Sequence, residues 1–306
     1  MFKRLEMKSK IQIILLLLCI NISFSQVVLE ALEGGVINTC FSPTTIISKT
    51  PCNAIAGATI NDDLTTPMGI EYNWTGATGF VDGGTVRALV DINGQCWFRR
   101  NAINVPSNYP APSTTIAPGG DQGWSGFYNF TYTAGHGRLY QWKAAMNLVL
   151  FADNWGGVDF STIERSRGIC PVGWHVPSDC EWQYMEEYLQ VPSQYLNQDM
   201  FWNARTFPST TNTGSGSFIS AGLPTAPNNN QTGFSALLTG HKDINFDNSF
   251  SGITRYASFW TSSAKNLALG HHMSTFYRRQ LFWFYVGIER AGANPGAAFS
   301  VRCLKD

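Results

Sequence analysis

Thiols, imidazoles and one arginine pair are the groups in this sequence around which chemistry could be built. His175, between Trp174 and Val176, has the type of a general base or metal ligand, but its apolar neighbours favour a core histidine satisfied by a backbone hydrogen bond. His271 and His272 are adjacent, and neighbours on a strand point to opposite faces. With no third ligand at a telling spacing, no metal and no cofactor are expected. Arg278-Arg279, near Tyr277 and Trp283, suits a cradle for a sugar or an acidic group; its alternative is a solvated strand face. Asp243 and Asp247 flank a turn and have the oxygen chemistry for calcium, though a hairpin loop explains them as well. Cys180 would sit in a first helical turn, where the dipole lowers the pKa of a free thiol.

The elements that must hold these groups centre on residues 169–182. Pro171, Pro177 and Gly173 keep its first half extended. Ser178 followed by Glu181 is a capping box that opens a helix. Trp182, Met185 and Leu189 then form its buried face, with Glu186 and Glu187 directed away from it. Upstream, 86–90 and 95–99 flank Asn93-Gly94, the pair that supplies positive φ for a tight hairpin. A second helix is expected over 137–150, with Leu139, Trp142, Met146 and Val149 on one face. Strands are expected at 233–238, 258–262, 275–288 in pieces, and 298–303. Two helices between sets of short strands, wrapped by long loops, give an α+β domain over 85–306. Residues 26–84 form a β-rich N-terminal segment whose function is not legible.

Composition narrows the function classes. Charged residues make up 14% of the 306, aromatics 13%, and ten are Trp. No basic stripe appears, so nucleic acid is not an expected partner. Residues 1–25 read as a signal peptide: Lys3, Arg4, Lys8 and Lys10 precede an apolar run from Ile11 to Ile20, with small residues before Gln26. That run falls short of the roughly 20 apolar residues of a membrane span. Leu18 before Cys19 argues against a lipoprotein. Cleavage removes four bases and Glu6, so the formal charge goes from 0 to −3, too weak to imply a charged partner. Six cysteines remain: Cys40, Cys52, Cys96, Cys170, Cys180 and Cys303. An even number in an exported chain reads as disulfides, and the absence of C-x-x-C weakens zinc and redox-motif readings.

Six blocks occur in order: 95–98 (Gln-Cys-Trp-Phe), 137–142 (Gly-Arg-Leu-Tyr-Gln-Trp), 170–178 (Cys-Pro-Val-Gly-Trp-His-Val-Pro-Ser), 233–237 (Gly-Phe-Ser-Ala-Leu), 259–263 (Phe-Trp-Thr-Ser-Ser) and 299–303 (Phe-Ser-Val-Arg-Cys). Together they resemble the Fibrobacter succinogenes major paralogous domain family, from about residue 85 onward. The resemblance implies a C-type-lectin-like fold, distantly similar to the formylglycine-generating superfamily, in a secreted or cell-surface protein. Cys170 and Cys303 fall inside these blocks and are expected to pair, with Cys96–Cys180 and Cys40–Cys52 completing the set. Calcium-dependent sugar binding is not implied. Ala293-Asn294-Pro295 and Trp202-Asn203-Ala204 each lack the carboxylate that a hard cation needs. Two functions compete: a non-catalytic module that binds a protein or glycan through its long loops, and a thiol-dependent oxidising enzyme. The enzyme's nearby pair of thiols is absent, since only Cys303 lies in the last hundred residues. The expected binding face runs from about 267 to 295 and includes His271, His272, Tyr277, Arg278, Arg279 and Trp283.

Overall fold

The computed structural model describes Cys40 and residues 45–61, 69–109, 121–148, 160–189, 232–243, 249–266, 275–282 and 288–306. The chain divides into two compact units, residues 1–46 and 47–306; the architecture below is that of the second. The expected signal peptide, His271, His272, Trp283 and Asp247 lie outside the described residues. No helix among the described residues is long and apolar enough to cross a membrane.

The second unit is mostly sheet, with two α-helices among its described residues. One sheet has six strands in the order β1 (Ala58–Ile60), β2 (Ile70–Trp74), β3 (Leu89–Ile92), β4 (Gln95–Phe98), β13 (Leu304–Lys305), β7 (Trp174–His175). β3 and β4 are the expected hairpin, and Asn93 and Gly94 take φ of 54° and 75° at its turn. β1 and β2, from within the 26–84 segment, extend the same sheet. A five-stranded sheet follows the order β12 (Ile288–Ala293), β11 (Thr275–Phe282), β10 (Tyr256–Asn266), β8 (Thr239–Lys242), β9 (Phe250–Ile253). β5 (Ser125–Gly126) and β6 (Leu139–Tyr140) make a small ribbon.

The segment leading into β13 stitches these sheets together. Ala298 exchanges backbone hydrogen bonds with Lys242 of β8, and Phe299 with Tyr140 of β6. Ser300 bonds Ser258 and Trp260 of β10, while the Val301 and Cys303 carbonyls accept from Ala102 and Phe98. One extended strand of chain therefore satisfies its polar backbone by serving all three sheets. It is a bridge, where a regular strand over 298–303 was expected; regular pairing begins only at Leu304.

Helix α2 (Asp179–Tyr188) starts where the capping box places it, with Ser178 and Glu181 bonding reciprocally. Trp182, Met185 and Leu189 are buried with Trp97, Phe234 and Phe259 in one apolar cluster. Glu186 departs from expectation: it is fully buried, because Arg279 lies beside it. The other large cluster gathers Trp142, Phe276, Trp174 and Phe98, with the Trp142 and Phe276 rings stacked 3.7 Å apart.

Two sequence expectations fail for backbone reasons. The helix expected over 137–150 is only α1 (Trp142–Met146). Gly137 has φ of 70°, and a Cβ there would lie 2.4 Å from that of Asn101. Leu139 and Tyr140 are drawn into β6, and Asn147 turns left-handed to end the helix. Residues 233–238 form no strand, since Gly233 and Ser235 both adopt positive φ. The carbonyls of Phe234 and Ser235 point instead at the Arg302 guanidinium.

The disulfides also differ in part. Cys170–Cys303 forms as expected, but Cys52 pairs with Cys96, which rules out both Cys40–Cys52 and Cys96–Cys180. Cys40 and Cys180 are disulfide-bonded as well. Cys52 is brought to β4 by its own N–H, which donates to Asp91, and by the Cys96 N–H, which donates to Thr50. Sequence separations of 44 and 133 residues give the two bonds about 4 and about 5 kcal/mol in the chain-entropy model. Non-reducing peptide mapping should recover Cys52 linked to Cys96 and Cys170 linked to Cys303. A peptide joining Cys96 to Cys180 would contradict this arrangement.

Candidate functional site

Strand β11 separates the two arginines by the alternation of a pleated strand. Arg279 faces α2, where its Nη1 and Nε lie 2.6 Å from Asp179 Oδ1 and Glu186 Oε1. Arg290 of β12 adds a second cation at 2.7 Å from Asp179 Oδ2. Burial alone would raise the Asp179 pKa, but Arg279 and Arg290 outweigh it and hold the carboxyl below its ordinary value. Arg279 is fully buried, so its guanidinium is committed to the core. Tyr277, on the same face, is mostly buried under the Arg290 guanidinium, 4.1 Å from its ring centroid.

Arg278 faces the other way, into a cleft of about 180 Å³ lined also by His241, Asp243, Gln280, Asn294 and Phe299. β8 delivers His241 and is followed directly by Asp243, β11 delivers Arg278 and Gln280, and Asn294 follows the end of β12. The bridging segment supplies Phe299. Arg278 Nη2 lies 3.1 Å from Glu289 Oε2, its Nη1 donates to Gln280 Oε1, and its guanidinium carbon stands 5.8 Å from the Phe299 centroid. Burial presses the Arg278 pKa down, and the Glu289 carboxylate opposes that. His241 Nε2 pairs with the Ser251 hydroxyl at 3.2 Å, while its buried Nδ1 has no partner among the described residues. Burial, helped by Arg278 and opposed by Asp243, lowers the His241 pKa to about 4, so the imidazole is neutral near pH 7. Asp243 belongs to the β8–β9 hairpin, its N–H donating to the Ser249 carbonyl.

His175 is a core histidine, but carboxylates rather than backbone satisfy it. Its Nε2 is 2.9 Å from Glu181 Oε2 and its Nδ1 is 2.6 Å from Asp306 Oδ1. Ser178, His175 and two carboxylates stand close together without the order of a nucleophilic triad. Both ring nitrogens face carboxylates, and the Ser178 hydroxyl is spent on Glu181. Cys180 is disulfide-bonded and Cys303 is joined to Cys170, which leaves neither as a thiol.

Of the residues named from sequence, the structure brings Arg278 to the cleft, sends Arg279 and Tyr277 to the opposite face, and leaves His271, His272 and Trp283 outside the described residues. Sequence reading missed His241, Gln280 and Asn294 as partners of Arg278. The one available signal was Gln280 two positions beyond Arg278, hence on the same strand face.

A family model described as the Fibrobacter succinogenes major domain matches residues 90–305. That span contains the whole cleft. No curated protein and no solved structure matches the chain.

The opposite fates of the two arginines predict opposite costs. Arg279→Ala leaves Asp179 and Glu186 underpaired in the core, and urea unfolding should show a loss of about 3–5 kcal/mol. Arg278→Ala removes a partly solvated pair and should cost about 1 kcal/mol or less. Equal losses would contradict the two-faced strand.

The histidine in the cleft sets a pH window. Its folded pKa of about 4 lies below the ordinary 6.5 of an imidazole, so between those values the unfolded chain binds more protons. Stability should then fall as pH drops through that window. Glu181, held near 2 against an ordinary 4.5, adds a separate loss below that range. His241→Gln should flatten the fall in denaturant midpoint between about pH 6.5 and about 4.5 while leaving the steeper fall below it. An unchanged profile would contradict the burial of this imidazole.

Proposed function

The chain belongs to the Fibrobacter succinogenes major domain family, and from that premise we propose that it is an exported, non-catalytic surface module of C-type-lectin-like fold that binds a protein or glycan partner. The observation that carries this reading is the cleft at Arg278, which gathers polar groups of three separate chain segments over one aromatic ring. On the opposite face of β11, Arg279 is answered inside the fold by Asp179 and Glu186. The cleft opens its polar groups outward. Export rests on the basic and apolar pattern of residues 1–25 and accords with the disulfides. The thiol-dependent oxidising alternative needs free cysteines, and the described cysteines are in disulfides.

Binding by the purified protein should be measured on a glycan array and against native envelope fractions, with Arg278→Ala in parallel. The expected outcome is capture by the wild type, weakened at least tenfold by Arg278→Ala, with the variant still folded and its thermal midpoint lowered by no more than about 4 °C. Capture that survives undiminished would move the site elsewhere, and turnover of a captured ligand would contradict the non-catalytic reading.

A further inference from the structure

The cleft holds more hydrogen-bond donors than the protein answers. Gln280 uses its carbonyl oxygen to accept from Arg278, and Asn294 uses its own to accept from the Gly296 N–H at 2.9 Å. No acceptor among the described residues meets either amide nitrogen. Arg278 Nε is likewise without an acceptor, its two Nη atoms being committed to Gln280 and Glu289. The buried His241 Nδ1 is also unpartnered there. Of these, His241 Nδ1 is buried and bears the cost of an unpaired group; the other three nitrogens face the open cleft, where an acceptor-rich ligand can meet them.

Charge then selects the ligand. Glu289 already neutralises Arg278, the imidazole is neutral near pH 7, and Asp243 lines the same cleft. With Arg278 paired to Glu289 and the imidazole neutral, the cleft has no cation to spare for a carboxylate or phosphate. A hydroxyl both accepts and donates, so a ring carrying several hydroxyls answers the amides and the carboxylate together. The volume of about 180 Å³ is well below the roughly 300–1,000 Å³ of pockets for drug-sized molecules, which limits the occupant to a single ring.

We propose that this cleft binds one uncharged sugar residue. Its hydroxyls accept from Gln280 and Asn294 and donate to Asp243, and the Phe299 ring forms the floor. The inference rests on the binding-module reading and assigns its ligand class.

Calorimetric titration of the full-length protein with the methyl glycosides of glucose, galactose and mannose tests it, with glucuronic acid as the charged control. Gln280→Glu keeps the acceptor that Arg278 uses and removes the spare donor. Asn294→Ala provides a second, independent loss. The expected result is millimolar binding of at least one neutral glycoside, weakened tenfold or more by Gln280→Glu and by Asn294→Ala at unchanged thermal midpoint, with glucuronic acid the weaker ligand. Tighter binding of glucuronic acid overturns the charge argument, and with it the proposal. Glycoside binding indifferent to both variants places the sugar elsewhere and overturns the cleft assignment, while leaving the module reading intact. Absence of binding to every glycoside overturns the proposal, and the envelope capture described above then decides the module reading separately.

Discussion

The Glu181 carboxylate is the interaction on which the rest of the second unit depends. It is completely buried, and removing a carboxylate from water is costly unless donors replace the water. Oε2 accepts from the Ser178 N–H, the Ser178 hydroxyl and the His175 ring; Oε1 accepts from the Ser48 N–H and Arg165 Nε. Burial alone would raise its pKa, but His175, Ser178 and Arg165 outweigh it and hold the carboxyl near 2. One side chain thus caps α2, fixes β7 through His175 and reaches the 48 and 165 segments. Through His175 it also reaches Asp306.

The same rule organises the neighbouring charges. Asp179, the residue directly after the cap, binds Arg279 and Arg290, and Glu186 takes the other edge of Arg279. Arg302 solves the problem without a carboxylate. It is buried, and its donors reach Asn101 Oδ1 and the carbonyls of Phe98, Phe234 and Ser235, with the Phe234 and Phe259 rings 4.7 and 5.4 Å away. Burial, with Arg99 and Arg100 nearby, pushes its pKa well down; carbonyl dipoles and ring faces oppose that by favouring the cation. The Arg302 interactions also explain the irregular backbone at 233–238, which turns its carbonyls inward to serve that one group. Against this background the cleft is distinct, because there the polar groups are arranged around a space instead of around each other.

Local chemistry was legible in the sequence, and distant pairing was not. The capping box and the Asn93-Gly94 hairpin are written in adjacent residues, so both appear where expected. The Trp182, Met185 and Leu189 face follows from helical spacing, as does its burial. Residues 137–150 misled because Leu139, Trp142 and Met146 have helical spacing, whereas the close approach of Gly137 to Asn101 and the pairing of β5 with β6 are tertiary. Glu186 looked like a solvent-facing charge because its partner lies 93 positions away. Arg278 and Arg279 looked like one feature, although strand alternation sends them to opposite faces. His241, Gln280 and Asn294 carry no common motif; only the sheet order brings them to one cleft.

The central claim is that Arg279 and Arg302 are answered inside the fold, whereas the amide nitrogens of Gln280 and Asn294 and the Nε of Arg278 face the cleft without an acceptor among the described residues. Side-chain NMR of the Gln and Asn amides and the arginine Nε–H groups during titration with a neutral methyl glycoside tests it most directly. The account predicts shifts at Gln280, Asn294 and Arg278, with Gln141, Arg279 and Arg302 unmoved. Equal shifts at the buried groups, or none at the cleft, would contradict it.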